Sequence, residues 1–150
     1  MPSQSDLVAF SPKGHLVLIV ECKGGMDASP RAAARFRRNL LAHGLIPPVP
    51  YYMLAYPGTL FVWKQSTPAE AEADFKASTG SILEHYALGV ADPTAGIAGS
   101  TLEIVLYSWL GDLTSGLRKP RGDSDADAML VRAGIYDEIR NGKISSRLAL

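Results

Sequence analysis

The sequence has very little cysteine: Cys22 is the only one among its 150 residues. A single cysteine excludes a disulfide within the chain and a zinc site built from several cysteines. Long apolar runs are also missing, because a run such as Leu16 to Val20 is far shorter than the roughly 20 residues that span a bilayer. Asp6 interrupts the region in which a secretory signal would need an apolar stretch. We therefore expect a cytoplasmic protein without membrane association.

The chain also lacks an excess of positive or negative charge. Fifteen basic residues balance fifteen acidic ones, so net charge gives no support to a nucleic-acid partner, and only local clusters of arginine and lysine can. Hydrophobic residues make up 47% of the chain, which is typical of an ordinary globular domain and excludes a disordered tail. A chain of this length is most simply one domain, spanning residues 1–150.

Local signals predict an order of strands and helices. A turn sequence, Ser-Pro-Lys-Gly, separates two apolar strands and predicts a β-hairpin, and a serine followed by proline is typical of a helix start. The predicted strands are Leu7–Phe10, His15–Lys23, Tyr51–Tyr56 and Leu60–Lys64, and the predicted helices are Arg31–His43, Thr67 to about Ala77, Ser81–Leu88, Thr101–Leu113 and about Asp125 to Asn141. This order predicts an α/β (α+β layered) fold, in which a core at 5–64 precedes a mostly helical C-terminal part at about 67–142.

Two acids and a lysine fall on the first predicted hairpin. Strand alternation places Glu21 and Lys23 on one face. If the turn closes with Phe10 opposite His15, Asp6 lies diagonal to Glu21, roughly 7–8 Å away at Cα. Two carboxylates at that separation can converge on one divalent cation.

This set of groups suits phosphodiester hydrolysis. Mg²⁺ prefers oxygen ligands and commonly uses one or two carboxylates with water and substrate phosphate. We expect Asp6 and Glu21 to bind Mg²⁺ (or Mn²⁺), with the backbone carbonyl of Cys22 as a further oxygen. Lys23 would orient the attacking water or lower its pKa, while the ion polarises the phosphate.

The hairpin resembles the PD-(D/E)XK nuclease superfamily, which has the restriction-endonuclease-like fold. Asp6 matches the first acid, Glu21-Cys22-Lys23 matches the E-x-K element, and a helix and a strand follow, so that the resemblance covers about residues 5–64. It implies a mixed sheet flanked by helices and a nuclease with paired acids on Mg²⁺ or Mn²⁺, a lysine beside the water, and DNA as the expected substrate. The stretch from Phe36 to Lys64 is also similar to uncharacterised bacterial nuclease-like proteins.

One departure from the superfamily concerns what precedes the first acid. Its core usually begins with a helix and a strand, and the helix often donates another carboxylate. Only five residues precede Asp6. The resemblance therefore leaves three alternatives: these elements are absent, are supplied elsewhere, or lie outside this sequence.

Other features have two interpretations each. A Glu-x-Lys triplet on a strand is commonly a surface ion pair worth about 0–1 kcal/mol. Arg31, Arg35 and Arg38 form a stripe on the predicted helix that either contacts phosphates of the substrate or is simply solvated. The whole domain could instead be a catalytically inactive binding module, in which Trp109 and Tyr136 bury against a partner or a second copy in a homodimer.

Overall fold

The computed structural model describes residues 6–86 and 97–146. These residues form a six-stranded mixed sheet: β1 Leu7–Phe10, β2 Leu16–Cys22, β3 Tyr51–Ala55, β4 Thr59–Lys64, β5 Phe75–Ser78 and β6 Lys143–Ser146. The helices are α1 Pro30–Ala42, α2 Gly80–Tyr86, α3 Gly99–Ser115, α4 Asp125–Ala133 and α5 Ile135–Ile139. The strand order is β5-β4-β3-β2-β1-β6, and only β2 and β3 pair in parallel. The predicted α/β layered fold is confirmed.

Helices cover both faces of the sheet. On one face, α1 packs over a cluster that contains Val8, Ile19 and Trp63. On the other face, the helices that follow β5 pack over Leu7, Val20 and their neighbours. The central strand β2 is apolar on both faces because it is covered from both sides, as its sequence predicts. This strand ends at the candidate site.

The start and end of α1 follow the sequence signals closely. Ser29 is the N-cap, its hydroxyl accepts a hydrogen bond from the backbone N–H of Ala32 at 3.1 Å, and Pro30 occupies the first helical position. Gly44 follows the helix with a φ of 65°, a left-handed conformation that glycine adopts without strain. The buried residues of the helix are Ala33, Ala34, Arg37 and Leu40, and Phe36 packs partly buried against the same cluster.

Removing the Ser29 hydroxyl tests this cap. Ser29→Ala is expected to lower the free energy of unfolding by about 1 kcal/mol, because one N–H at the start of α1 loses its acceptor. Ser29→Asp keeps an acceptor at the same place and should retain most of the stability. Urea unfolding followed by circular dichroism measures both variants. No loss in Ser29→Ala, or an equal loss in the two variants, would contradict the role of the Ser29 side chain as a cap acceptor.

The register of the first hairpin differs from the prediction. Ala9 pairs with Leu18, whereas Phe10 pairs with Leu16, so β2 accommodates one extra residue in a bulge. The predicted pairing of Phe10 with His15 is therefore wrong. Beyond the bulge Leu7 pairs with Val20, and the backbone N–H of the next residue outward, Asp6, donates to the carbonyl of Val20.

The predicted helix from Thr67 to about Ala77 is wrong. Asp74 accepts hydrogen bonds from the backbone N–H of Lys64, at 2.8 Å, and from the Thr67 hydroxyl. Arg37 also binds the carbonyl oxygens of Thr67 and Pro68 at 3.1 Å each. These bonds hold the segment in turns, and the residues after it form β5 on β4. Thr67-Pro-Ala-Glu70 has the spacing of a helix capping box, but these tertiary hydrogen bonds override that local signal.

The C-terminal part contributes strands as well as helices. The predicted helix at 125–141 is two helices. Gly134 has a φ of 87°, a left-handed conformation that ends α4, and α5 begins at the next residue. The segment after α5 then pairs antiparallel with β1 as the strand β6, which was not predicted. The sheet therefore extends beyond residues 5–64. The predicted helices at 101–113 and 81–88 are present as α3 and α2, and residues 87 and 88 lie outside the described residues.

Two further observations concern partners. Trp109 is fully buried inside the chain and donates its indole N–H to Asp127 at 2.7 Å, so the proposed use of this residue in an interface with another molecule is wrong. Within residues 6–86 and 97–146, no helix has both the length and the apolar character needed to cross a membrane.

Candidate functional site

Asp6 is fixed against the end of β2 by two hydrogen bonds. Its backbone N–H donates to the carbonyl of Val20 at 2.9 Å, and its Oδ2 accepts from the backbone N–H of Cys22 at 2.7 Å. These partners stand on either side of Glu21. Asp6 is therefore anchored to the two residues that flank Glu21 in β2.

Glu21 is buried, with an exposed fraction of 3%. Strand alternation places it on the face of Ile19, which packs under α1, and places Cys22 on the opposite face, where its side chain packs against the larger core. Glu21 is thus an ionisable residue in an interior position, which is uncommon unless the carboxylate has a partner or a function.

Lys23 extends along the α1 side of the site. Its backbone N–H donates to Ala55 at 2.8 Å, and its ammonium lies 4.6 Å from the centre of the Phe36 ring, a cation–π contact. The positive charge is close enough to lower the pKa of Asp6. Among the described residues, however, Lys23 forms no salt bridge with either acid. The ammonium is therefore held near the acids by an aromatic ring.

A third acid, Glu103 of α3, reaches the same place and was not predicted. Its carboxyl group lies near that of Asp6, close enough for a hydrogen bond when one of the two groups is protonated. Burial raises the pKa of Asp6, against the lowering effect of the Cys22 N–H and of Lys23. Burial and the charge of Asp6 raise the pKa of Glu103. In the sequence, Glu103 could have been noticed as an isolated acid near the start of a long, apolar predicted helix.

Cys22 lies among all three acids. Burial, followed by the charges of Asp6, Glu103 and Glu21, raises the pKa of its thiol far above the ordinary value. The thiol therefore stays protonated, and a nucleophilic thiolate at Cys22 is disfavoured. The charges of Asp6 and Glu103 reach Cys22 on its own face of the sheet, whereas Glu21 precedes it in β2 and points to the other face.

The start of α3 packs directly on the chain that follows Lys23. Gly25 pairs with Ile97, and a Cβ on Gly24 would overlap the backbone N of Gly99 and lie 2.7 Å from the carbonyl oxygen of Ile97. Only glycine allows this close approach at position 24. The contact fixes α3, and with it Glu103, relative to the end of β2.

The oxygen-rich set of groups fits a hard divalent cation. The carboxyl groups of Asp6 and Glu103 lie near each other where a cation could lie, Glu21 belongs to the adjoining strand β2, and Mg²⁺ needs only one or two carboxylates besides water and phosphate. Within the described residues, no three or more His, Cys, Asp or Glu side chains are arranged to hold a metal ion. Any binding would therefore depend on the carboxylate pair, with the Cys22 carbonyl as an additional ligand.

The arginine stripe lies on the exposed side of α1. Arg31, Arg35 and Arg38 line one cleft of about 280 Å³, so the predicted stripe is present. Glu70 and Glu72 form the opposite wall of this cleft. The cleft shares no lining residue with the acid group at the end of β2. The structure therefore assembles two separate charged surfaces.

Comparisons of the chain with protein-family models, with curated proteins and with solved structures found no significant match.

Proposed function

We propose that this protein is a metal-dependent nuclease that hydrolyses phosphodiester bonds, with DNA as its substrate. The observation that carries the proposal is the carboxyl pair of Asp6 and Glu103, which meets beside buried Glu21 at the end of β2. Two acids from different layers of the fold share this position although burial raises the pKa of both. Such an arrangement is unfavourable for stability and is typical of functional sites.

A divalent cation would lie between the carboxyl groups of Asp6 and Glu103. Asp6 and Glu21 are the proposed ligands, Glu103 is an additional one, and the carbonyl oxygen of Cys22 completes the set from the protein. Mg²⁺ or Mn²⁺ would polarise the scissile phosphate and lower the pKa of a bound water.

Lys23 has two tasks in this proposal. Its ammonium group, near the acids and against the Phe36 ring, would orient the attacking water and offset negative charge that develops on the phosphate. A protonated amine suits these tasks better than it suits proton abstraction. Lys23 is therefore assigned to positioning and electrostatic stabilisation.

The position of α3 and β6 supports the resemblance to PD-(D/E)XK nucleases. β6 lies beside β1, and α3 places a carboxylate on the first acid. These are the kinds of element that the superfamily usually carries ahead of that acid. Of the three alternatives left by the sequence, we favour the second. The helix α3 and the strand β6, which follow the hairpin in the chain, would supply the elements that usually precede the first acid.

Nucleic acid is the proposed partner because of the exposed arginines on α1. Arg31, Arg35 and Arg38 would contact backbone phosphates, which position a substrate without reading its sequence. The acidic wall at Glu70 and Glu72 would weaken this contact. We therefore expect binding that is strongly reduced by salt.

A plasmid assay tests the proposed function. Wild-type protein with Mg²⁺ or Mn²⁺ is expected to convert supercoiled plasmid to nicked or linear forms, and EDTA should prevent the conversion. Lys23→Met removes the ammonium and keeps an apolar side chain against Phe36, and we expect the rate to fall about 10²-fold. Arg132→Met, a change to another exposed cation on α4, is the matched control and should retain activity.

The rival proposal, an inactive binding module, makes a different prediction. It is favoured if the wild type binds plasmid in a mobility-shift assay but leaves it intact in either metal. Cleavage that persists equally in Lys23→Met and in Glu21→Gln would remove this site from consideration and indicate a contaminating nuclease.

A further inference from the structure

A second pocket lies between α1 and the sheet. It has a volume of about 220 Å³, and its walls include Arg37, Pro48, Tyr52, Trp63 and Lys64. Tyr52 pairs with Ile19, two residues before Glu21 on the parallel strand β2, and the charge of Glu21 reaches its phenol. Asp6, Glu21 and Glu103 are not among the residues that line the pocket.

The hydroxyl group of Tyr52 is buried in this region without a partner. Tyr52 is 3% exposed, and its hydroxyl oxygen forms no hydrogen bond with any part of the chain that the structure describes. Burial raises the pKa of this phenol well above its ordinary value, so the group remains a hydrogen-bond donor at neutral pH. A buried donor without an acceptor is unfavourable by about 1–3 kcal/mol.

Arg37 adds a positive charge that lacks a direct counter-ion. It is 4% exposed, donates to two backbone carbonyls, and lies 5.4 Å from the Trp63 ring. In the described part of the chain no carboxylate lies within salt-bridge distance of it. Asp74 is the nearby acid, but its Oδ2 accepts from the Lys64 N–H and the Thr67 hydroxyl instead. Buried charges are ordinarily paired.

We propose that this pocket binds a small organic anion with one carboxylate and a flat apolar body. The carboxylate would accept a hydrogen bond from Tyr52 and complement the charges of Arg37 and of Lys64 at the rim. The apolar body would pack against Trp63 and Pro48. The volume is below the roughly 300 Å³ at which pockets for drug-sized ligands begin, so a single ring fits better than a nucleotide.

Benzoate is a direct probe of this inference. The two indole N–H groups have separate environments, because Trp63 donates to Ala71 on the α1 face and Trp109 donates to Asp127 on the other face. In a ¹H–¹⁵N correlation spectrum, added benzoate is expected to shift the Trp63 signal in a saturable way and to leave the Trp109 signal in place. Benzamide, which has the same shape and no charge, should bind at least tenfold more weakly.

Tyr52→Phe separates a specific site from simple apolar binding. The change removes only the unpaired hydroxyl, so the protein is expected to stay folded and to bind benzoate about tenfold more weakly. The inference is overturned if benzoate does not shift Trp63, if benzamide binds equally well, or if Tyr52→Phe leaves the affinity unchanged. None of these results depends on the proposed nuclease activity, because the acids are not part of this pocket.

Discussion

Asp6→Asn is expected to abolish metal-dependent cleavage and, at the same time, to stabilise the metal-free protein at pH 7. Asparagine keeps the shape of the side chain and an acceptor for the Cys22 N–H, but it removes the charge that binds the cation. Loss of the metal's action on the phosphate is worth several kcal/mol, so the rate should fall by about 10³-fold or more. The gain in stability follows first from removing a carboxylate whose charge is unfavourable when buried, and then from the loss of its repulsion on Glu103.

The pH dependence of stability has a definite sign. The folded protein raises the pKa of both Asp6 and Glu103 above the ordinary values of 3.8 and 4.5. The folded state therefore binds protons more readily than the unfolded chain does. In EDTA, proton binding by this pair contributes fully to stability at pH values below the ordinary pKa values. That contribution is lost as the pH rises through the raised pKa values. Asp6→Asn and Glu103→Gln should each reduce this loss.

Asp123→Asn is the matched control for this prediction. Asp123 is exposed and pairs with Arg121, which lowers the pKa of Asp123. The same Asp-to-Asn change is therefore made at a carboxyl group whose pKa is lowered, whereas that of Asp6 is raised. This variant should retain cleavage and gain no stability at pH 7. Thermal unfolding in EDTA between pH 4 and pH 8, with plasmid cleavage in Mg²⁺, measures all three variants. Full cleavage by Asp6→Asn, or a loss of stability at pH 7, would contradict the proposed metal site.

Signals that act over a few residues allowed much of the fold to be predicted. Pro12 and Gly14 in the first turn, the Ser29 cap of α1 and the helical spacing that buries Trp109 each depend on neighbours in the chain. The two strands that were missed are short and lie at the edges of the sheet. The strand β6 has a single apolar residue, Ile144, and pairs with a strand more than a hundred residues away. No local pattern specifies such a pairing.

The candidate site was predicted only in part for the same reason. Asp6, Glu21 and Lys23 lie on one hairpin, so strand geometry alone could relate them, although the bulge changed the register. Glu103 comes from another layer of the fold, and its approach to Asp6 depends on the packing of α3 against Gly24. The contact between Lys23 and Phe36 also depends on how α1 lies over the sheet.

Gly142→Ala is expected to be strongly destabilising, because Gly142 sits where β6 approaches the end of β1. A Cβ at this position would overlap the carbonyl oxygen of Phe10 and lie 2.8 Å from that of Ile139. Backbone atoms cannot move aside as the end of a flexible side chain does, so β6 or the end of β1 must shift. We expect the free energy of unfolding to fall by about 3 kcal/mol or more.

Gly122→Ala provides the matched control, since a Cβ there meets no atom within 4 Å and its backbone has no left-handed φ. That variant should remain within about 0.5 kcal/mol of the wild type. Urea unfolding followed by circular dichroism compares the two. If Gly142→Ala still folds, its amide hydrogens in β1 and β6 should exchange faster, because the pairing between these strands is the part that the clash disrupts. Equal stability of the two variants would show that β6 does not pack against β1 as described.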